Sequence, residues 1–68
     1  MDAKKIGQRL RELREKFGQT KKFVAKTVGV SYRAICAYEY GERIPEDPIK
    51  VKLAAHFGVS VESIFFAE

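Results

Sequence analysis

The chain has 68 residues, of which 13 are Lys or Arg and nine are Asp or Glu, so its formal net charge is +4. Its hydrophobic fraction of 46% is ordinary for a globular domain and too high for a disordered tail. We therefore expect residues 1–68 to form one small domain of marginal stability. No apolar run approaches the ~20 residues that span a membrane, and no apolar signal-peptide core follows the N-terminus.

Cysteine and histidine are too scarce for a disulfide or a structural zinc site within the chain. Cys36 is the single cysteine and His56 the single histidine. A reducing, cytoplasmic setting is therefore expected, without a metal, a cofactor, a small-molecule ligand or membrane contact. No nucleophile and base stand at a spacing suited to catalysis, so we do not expect an enzyme.

The charges are unevenly distributed along the chain. Residues 1–33 contain ten Lys or Arg against three acidic residues, whereas residues 34–68 contain three Lys or Arg against six acidic residues. A small protein with one cationic half is suited to docking that half on a polyanion. A solvated charged surface without a partner is the alternative explanation.

The pattern of apolar residues predicts an all-α fold. A first helix is expected over residues 3–16, ending before Gly18, because apolar residues recur there at helical spacing. These residues are Ile6, Leu10, Leu13 and Phe17.

Two short helices follow, each with a capping residue in front of it. Thr20 is expected to cap a helix over residues 21–28, which Gly29 ends. Ser31 comes only two residues later and is expected to cap a third helix that reaches Tyr40. The inner side of the second helix carries Val24, Ala25 and Val28.

The last third of the chain predicts two more helices. Asp47 is expected to cap the fourth with its carboxylate, since Pro48 already has the helical φ, and Gly58 ends it. Ser60 is expected to cap a short fifth helix, and residues 65–68 fit either its continuation or an extended tail. The predicted architecture is a compact bundle of five short helices.

The turn between the second and third helices predicts a helix-turn-helix over residues 20–40. It is too tight for the two helices to lie antiparallel, so they must cross steeply. A helical wheel of the third helix separates an inner from an outer face. The inner face carries Ala34, Ile35 and Tyr38, and the outer face carries Tyr32, Arg33, Cys36, Ala37 and Tyr40. The outer face has few acidic residues and fits a DNA major groove.

The ordered set of residues resembles the Cro/CI-type family of phage repressors, also called XRE. The resemblance covers about residues 6–65 and is carried by the stretch 19–31, by Leu53–Phe65, and by Ile35, Glu39, Gly41 and Pro45. It implies a lambda-repressor-like DNA-binding domain that acts as a transcriptional regulator, namely a repressor. Such a protein binds a double-stranded DNA operator in a sequence-specific manner.

The resemblance also implies roles for individual residues. The positions that read base edges in the family are occupied here by Ser31, Tyr32, Arg33, Cys36 and Ala37. The positions that contact DNA phosphates are occupied by Thr20, Lys21, Tyr40 and Arg43. Arg14 and Glu39 match positions that form an internal salt bridge.

The chain departs from the family at three of its positions. Lys21 replaces the usual Gln, which keeps a phosphate donor and adds charge. Tyr40 replaces an amide or basic residue. Phe23 replaces a frequent Glu, and the sequence shows no packing partner for its ring.

A protein-interaction module of the same fold, such as an antitoxin or an antirepressor partner, is the alternative function.

The C-terminal segment predicts a homodimer. Five apolar residues crowd into eight positions, and a helix cannot turn Ile64, Phe65 and Phe66 all towards one core. An aromatic ring, that of Phe66, is therefore expected on the surface, and exposed apolar patches mark interfaces. Phe65 and Phe66 are assigned to the dimer interface on this basis.

Overall fold

The structure is a computed structural model that describes residues 1–67. All regular secondary structure in this range is helical, as the sequence predicts. The helices are α1 (Ala3–Lys16), α2 (Lys21–Val28), α3 (Tyr32–Glu39), α4 (Asp47–Phe57) and α5 (Val61–Phe65).

Capping residues begin three of these helices where the sequence predicts them. Thr20, Ser31 and Ser60 each accept a hydrogen bond from the backbone N–H three residues later, at 3.0, 3.0 and 3.1 Å. A fourth cap, at Asp2, accepts bonds from the N–H groups of Lys4 and Lys5 at 3.0 and 3.2 Å. Since these bonds favour the ionised carboxylate, they lower the pKa of Asp2, with the bond from Lys5 contributing most.

The start of α4 differs from the prediction. Glu46 occupies the N-cap position and makes no side-chain capping bond, whereas Asp47 is already the first residue of the helix. Proline is tolerated throughout the first helical turn, where its missing N–H has no intrahelical partner, so Pro48 did not mark the first residue. The carboxylate of Asp47 instead accepts a hydrogen bond from Lys50 Nζ at 3.2 Å.

The core lies between all five helices. Its buried apolar residues are Ile6, Leu10, Val24, Ala25, Val28, Ala34, Ile35, Tyr38, Leu53, Ala54, Phe57, Ile64 and Phe65. The predicted apolar face of α1 is only partly buried, because Leu13 packs at the margin of the core and Phe17 remains 47% exposed. Phe17 follows the last residue of α1, where the helix has left the centre of the bundle.

Helices α1 and α3 approach each other closely at Gly7. A Cβ atom at this position would collide with the carbonyl oxygens of Tyr38 and Glu39. Only glycine therefore permits this approach, and it ties the last turn of α3 to the first half of α1.

The chain leaves the bundle after α5. Ile64 and Phe65 are buried, whereas Phe66 lies in a turn and its side chain is 55% exposed. The predicted alternatives for residues 65–68 therefore resolve into helix for Phe65 and turn for Phe66, while Glu68 lies outside the described residues. Within the described range, no helix is long and apolar enough to cross a membrane.

Candidate nucleic-acid interface

A sharp turn positions α3 against α2. Gly29 has a φ of +87°, a left-handed conformation that glycine adopts without strain. The N–H groups of Gly29 and Val30 both donate to the carbonyl oxygen of Ala25, at 2.8 and 2.9 Å. Ala25 is itself buried, and its small side chain lets the two helices approach. This is the helix-turn-helix geometry expected from the sequence.

The faces of α3 divide as the helical wheel predicts. Ala34, Ile35 and Tyr38 are buried in the core. Of the residues assigned to base reading, those of the first turn are exposed and those of the second are half-buried. The exposed ones are Ser31, Tyr32 and Arg33, and the half-buried ones are Cys36 and Ala37. The first turn of α3 is therefore the part that projects furthest.

Two of the assigned contact residues also serve as caps. The hydroxyl oxygens of Thr20 and Ser31 accept backbone hydrogen bonds within their own helices. Each hydroxyl retains its proton as a donor for an acceptor outside the protein. Both residues lie at helix N-termini, where the helix dipole favours an anion.

Lys21 and Tyr40 bring together the start of α2 and the end of α3. The Nζ atom of Lys21 lies 4.9 Å from the centroid of the Tyr40 ring, which is within the range of a cation–π interaction. The start of α2 also borders an open depression of about 400 Å³. Its lining residues are Arg14, Gly18, Gln19, Thr20, Lys21, Lys22 and Tyr32. Assigned phosphate-contact and base-reading residues therefore share one continuous surface.

Arg43 lies beyond the end of α3 and stacks on a buried ring. Its guanidinium carbon is 5.4 Å from the centroid of the Tyr38 ring. This stacking holds an exposed cation beside the C-terminal end of α3.

The Tyr32 phenol keeps its proton at neutral pH. Its pKa lies above the ordinary value, mainly because of its interaction with the Cys36 side chain one turn later. A protonated phenol can donate a hydrogen bond to a phosphate oxygen or to a base acceptor.

The outer surface of α2 and α3 carries no free negative charge. Residues 16–38 contain five Lys or Arg and no Asp or Glu. The first acidic residue after them is Glu39, whose side chain is only 4% exposed and whose carboxylate Arg14 neutralises. Arg14 Nε and Nη2 donate to Glu39 Oε2 and Oε1 at 2.7 and 3.1 Å. The ion pair expected from the resemblance is therefore present, and it raises the pKa of Arg14, with the hydrogen bond to Glu39 as the main cause.

Sequence reasoning missed the contacts that support this surface from behind. Arg14 Nη1 also donates to the carbonyl oxygen of Gln19 at 2.9 Å, and the Gln19 side chain lies 2.6 Å from His56 Nε2. Phe23, for which the sequence offered no partner, contacts the His56 ring at a centroid distance of 6.1 Å. In the sequence, the only sign of these contacts was that polar or aromatic residues lie near the ends of predicted helices.

The two residues assigned to a dimer interface lie in different environments. Phe66 is exposed, as expected, but Phe65 is 2% exposed and belongs to the core. The assignment of Phe65 to the interface is therefore corrected, because its ring fills the bundle and almost none of its surface is exposed. Lys50 Nζ lies 5.9 and 5.4 Å from the centroids of the Phe65 and Phe66 rings.

A groove lies between this tail and the start of α1. Its volume is about 500 Å³, and its lining residues are Met1, Asp2, Lys5, Arg9, Phe65, Phe66 and Ala67. Arg9 Nη1 closes one wall by donating to the carbonyl oxygen of Ile64 at 2.9 Å. Across residues 1–67, no three His, Cys, Asp or Glu side chains are grouped to hold a metal ion.

Comparison with known proteins identifies the family. A family model for the helix-turn-helix matches residues 10–64. YgzD of Bacillus subtilis, an uncharacterized HTH-type transcriptional regulator, is 30% identical over 60 residues, or 88% of this chain and 91% of YgzD. An uncharacterized HTH-type transcriptional regulator of Archaeoglobus fulgidus is 37% identical over 57 residues, or 84% of this chain and 81% of that protein.

A solved structure extends the similarity to the whole fold. The crystal structure of the restriction-modification controller protein C.AhdI from Aeromonas hydrophila superimposes with a TM-score of 0.87 and 31% identity. The match covers 94% of this chain and 97% of that one. The chain belongs to the helix-turn-helix family, and its resemblance to the Cro/CI-type (XRE) regulators is confirmed.

Proposed function

We propose that this protein is a transcriptional regulator that binds double-stranded DNA in a sequence-specific manner, with α3 in the major groove. One observation carries the proposal. The first turn of α3 is exposed at Tyr32 and Arg33, and the one carboxylate within this helix, that of Glu39, is buried and paired with Arg14. Relatives named as transcriptional regulators support the same function.

Base reading and phosphate contact are proposed for different parts of this surface. Arg33 has the planar guanidinium that bonds guanine O6 and N7 together, and Ala37 offers a methyl group to a thymine methyl. Thr20, Lys21 and Tyr40 border the groove-facing helix and are proposed to bind the backbone phosphates. Ser31, Tyr32 and Cys36 are proposed to complete the base-reading set, and Arg43 the phosphate-contacting set.

A homodimer is proposed because one recognition helix reads few base pairs. Paired domains place two such helices in successive major grooves, about 34 Å apart. The domain measures 27 × 23 × 22 Å, so two copies side by side are compatible with that spacing. The exposed Phe66 ring supplies an apolar surface for the contact, and the groove beside it adds the charged side chains of Asp2, Lys5 and Arg9.

Selection from a random DNA library, followed by gel-shift titration of the recovered sequences, tests the function. We expect a recovered site with two-fold symmetry, bound far more tightly than random duplex at the same salt concentration. Recovery of no preferred sequence, with weak binding that salt abolishes, would contradict sequence-specific regulation. That result would favour a protein-interaction module built on the same fold.

A further inference from the structure

A row of aromatic rings runs from the end of α1 through the end of α4 to α2. Phe17 meets Phe57 edge to face with ring centroids 5.6 Å apart, and Phe57 meets His56 at 4.8 Å. His56 in turn contacts Phe23 at 6.1 Å. Phe57 is buried, but Phe17 and Phe23 are 47% and 51% exposed, so the two ends of the row face solvent.

Hydrogen bonds and helix packing hold the rings in place. The Gln19 side-chain oxygen Oε1 accepts a hydrogen bond from His56 Nε2 at 2.6 Å, and the Gln19 backbone carbonyl accepts a bond from Arg14. Packing of α2 against α4 sets the separation of Phe23 and His56. The exposed rings are therefore part of an ordered surface, and ordered aromatic side chains lose little entropy when a partner covers them.

The surroundings of these rings are cationic. Lys26 lies one turn after Phe23 on α2, and Lys52 lies one turn before His56 on α4, and both are exposed. The segments that carry the rings, residues 16–38 and 48–61, contain no acidic residue at all. We call Phe17, Phe23, His56, Lys26 and Lys52 the aromatic–lysine patch.

We propose that the aromatic–lysine patch docks an acidic, amphipathic helical segment of another protein. Apolar side chains of such a segment would cover the Phe17 and Phe23 rings, and its carboxylates would face Lys26 and Lys52. A nucleic acid would satisfy the lysines, but its phosphate backbone offers no apolar surface to two half-exposed phenyl rings. The patch therefore fits a protein partner better than a second duplex.

The position of the patch allows both partners at once. On α2, Lys21 reaches Tyr40 at the end of α3, whereas Phe23 reaches His56 on α4. The partner segment would thus lie on the flank of the domain while α3 occupies its own site. Such an arrangement gives the protein a way to contact a second protein beside the DNA.

A synthetic peptide tests the proposal, with Leu residues on one helical face and Glu residues on the other. Its binding to the intact protein is followed by NMR titration, and the same peptide with Gln for every Glu is the control. We expect amide shifts confined to the end of α1, the start of α2 and the end of α4. Phe23→Ser should weaken binding about tenfold, as loss of an aromatic anchor does.

Further variants test the charge and the location of the patch, and circular dichroism shows whether each variant is folded. Lys26→Glu and Lys52→Glu should each weaken the acidic peptide several-fold, and circular dichroism should show unchanged helices because both side chains are exposed. Val51→Ser removes an equally exposed apolar side chain outside the patch and should leave binding unchanged. The DNA affinity of the Phe23→Ser variant should match that of the wild type. The peptide titration and the DNA titration therefore test the docking proposal and the proposed function separately.

Three results would overturn the proposal. The first is no binding of the acidic peptide, and the second is equal binding of the neutral peptide. The third is a random DNA duplex that produces the same amide shifts at the patch and competes with the peptide, because the patch would then be a nucleic-acid surface.

Discussion

Arg14 on α1 and Glu39 at the end of α3 form a two-pronged ion pair, with N–O distances of 2.7 and 3.1 Å. Their side chains are only 13% and 4% exposed, so solvent screens the pair weakly. The pair joins two helices through residues that are 25 positions apart in the chain. It therefore fixes the end of the proposed recognition helix to α1.

Removing one member of this pair should be far more damaging than removing both. Arg14→Ala or Glu39→Ala leaves a buried charge unpaired, which costs about 3–5 kcal/mol, whereas a double apolar replacement such as Arg14→Met with Glu39→Leu should restore much of that stability. Urea unfolding of the four proteins measures the difference. Two small and additive losses would show that the pair contributes no buried-charge penalty.

Arg33→Ala should relax discrimination at one position of the binding site. Loss of a bidentate contact to guanine weakens the preferred site by about 1–3 kcal/mol and leaves random duplex nearly unaffected. Titration against the selected site and its single-base variants measures this. Arg11→Ala, at an exposed arginine of α1, is the matched control. An equal loss on every sequence would identify Arg33 as a phosphate contact instead.

Lys21→Ala should weaken specific and nonspecific binding alike. Removal of one phosphate contact lowers the slope of log K against log salt by about one unit for each bound subunit. Affinities measured over a salt series give the slope. Lys52→Ala removes an exposed lysine from α4 and should leave it unchanged. A wild-type slope in the Lys21 variant would rule out its contact with the backbone.

Phe66→Asp should produce a folded monomer with weak, nearly nonspecific DNA binding. A carboxylate in place of the exposed ring cannot be buried against a second copy without a large desolvation penalty. Sedimentation equilibrium without DNA measures the association, and Phe17→Asp, which replaces another half-exposed ring, is the control. A wild-type protein that stays monomeric at high micromolar concentration would contradict a preformed dimer.

Asp2 should stabilise the protein in a pH-dependent way. Its pKa is lowered in the folded state from an ordinary value of 3.8, so the ionised carboxylate stabilises α1 above that pH. The contribution is lost as the pH falls through the lower folded-state pKa. Thermal unfolding of wild type and Asp2→Asn should therefore differ at neutral pH and converge in acid. A constant difference across this range would contradict a role for the charge.

Local signals account for what the sequence predicted well. A Ser or Thr in front of a helix caps it by accepting a bond from the N–H three residues later, so the caps follow from the local sequence. The spacing of Ala34, Ile35 and Tyr38 likewise determines the inner face of α3. The ion pair of Arg14 and Glu39 came from a resemblance covering most of the chain, since no local pattern links residues so far apart. The assigned DNA contacts stay predictions until binding is measured.

The errors arose where packing between helices decides the outcome. Phe65 and Phe66 are adjacent and chemically identical, and only the end of α5 determines which ring enters the core. Asp47 and Glu46 are both acidic and both precede Pro48, so the first helical residue depended on how α4 meets the bundle. Phe23 found its partner, His56, on a helix that begins more than twenty residues later.

Because α1 and α3 approach closely at Gly7, the orientation of the recognition helix does not depend on the side chains of its outer face. The axis of α3 is set by backbone contact with α1 and by buried side chains on its inner face. Its outer residues carry none of that packing, apart from the half-buried Cys36 and Ala37. The exposed outer positions, Tyr32, Arg33 and Tyr40, can therefore be exchanged one by one while the helix stays in place, so that this scaffold could acquire a new operator without acquiring a new fold.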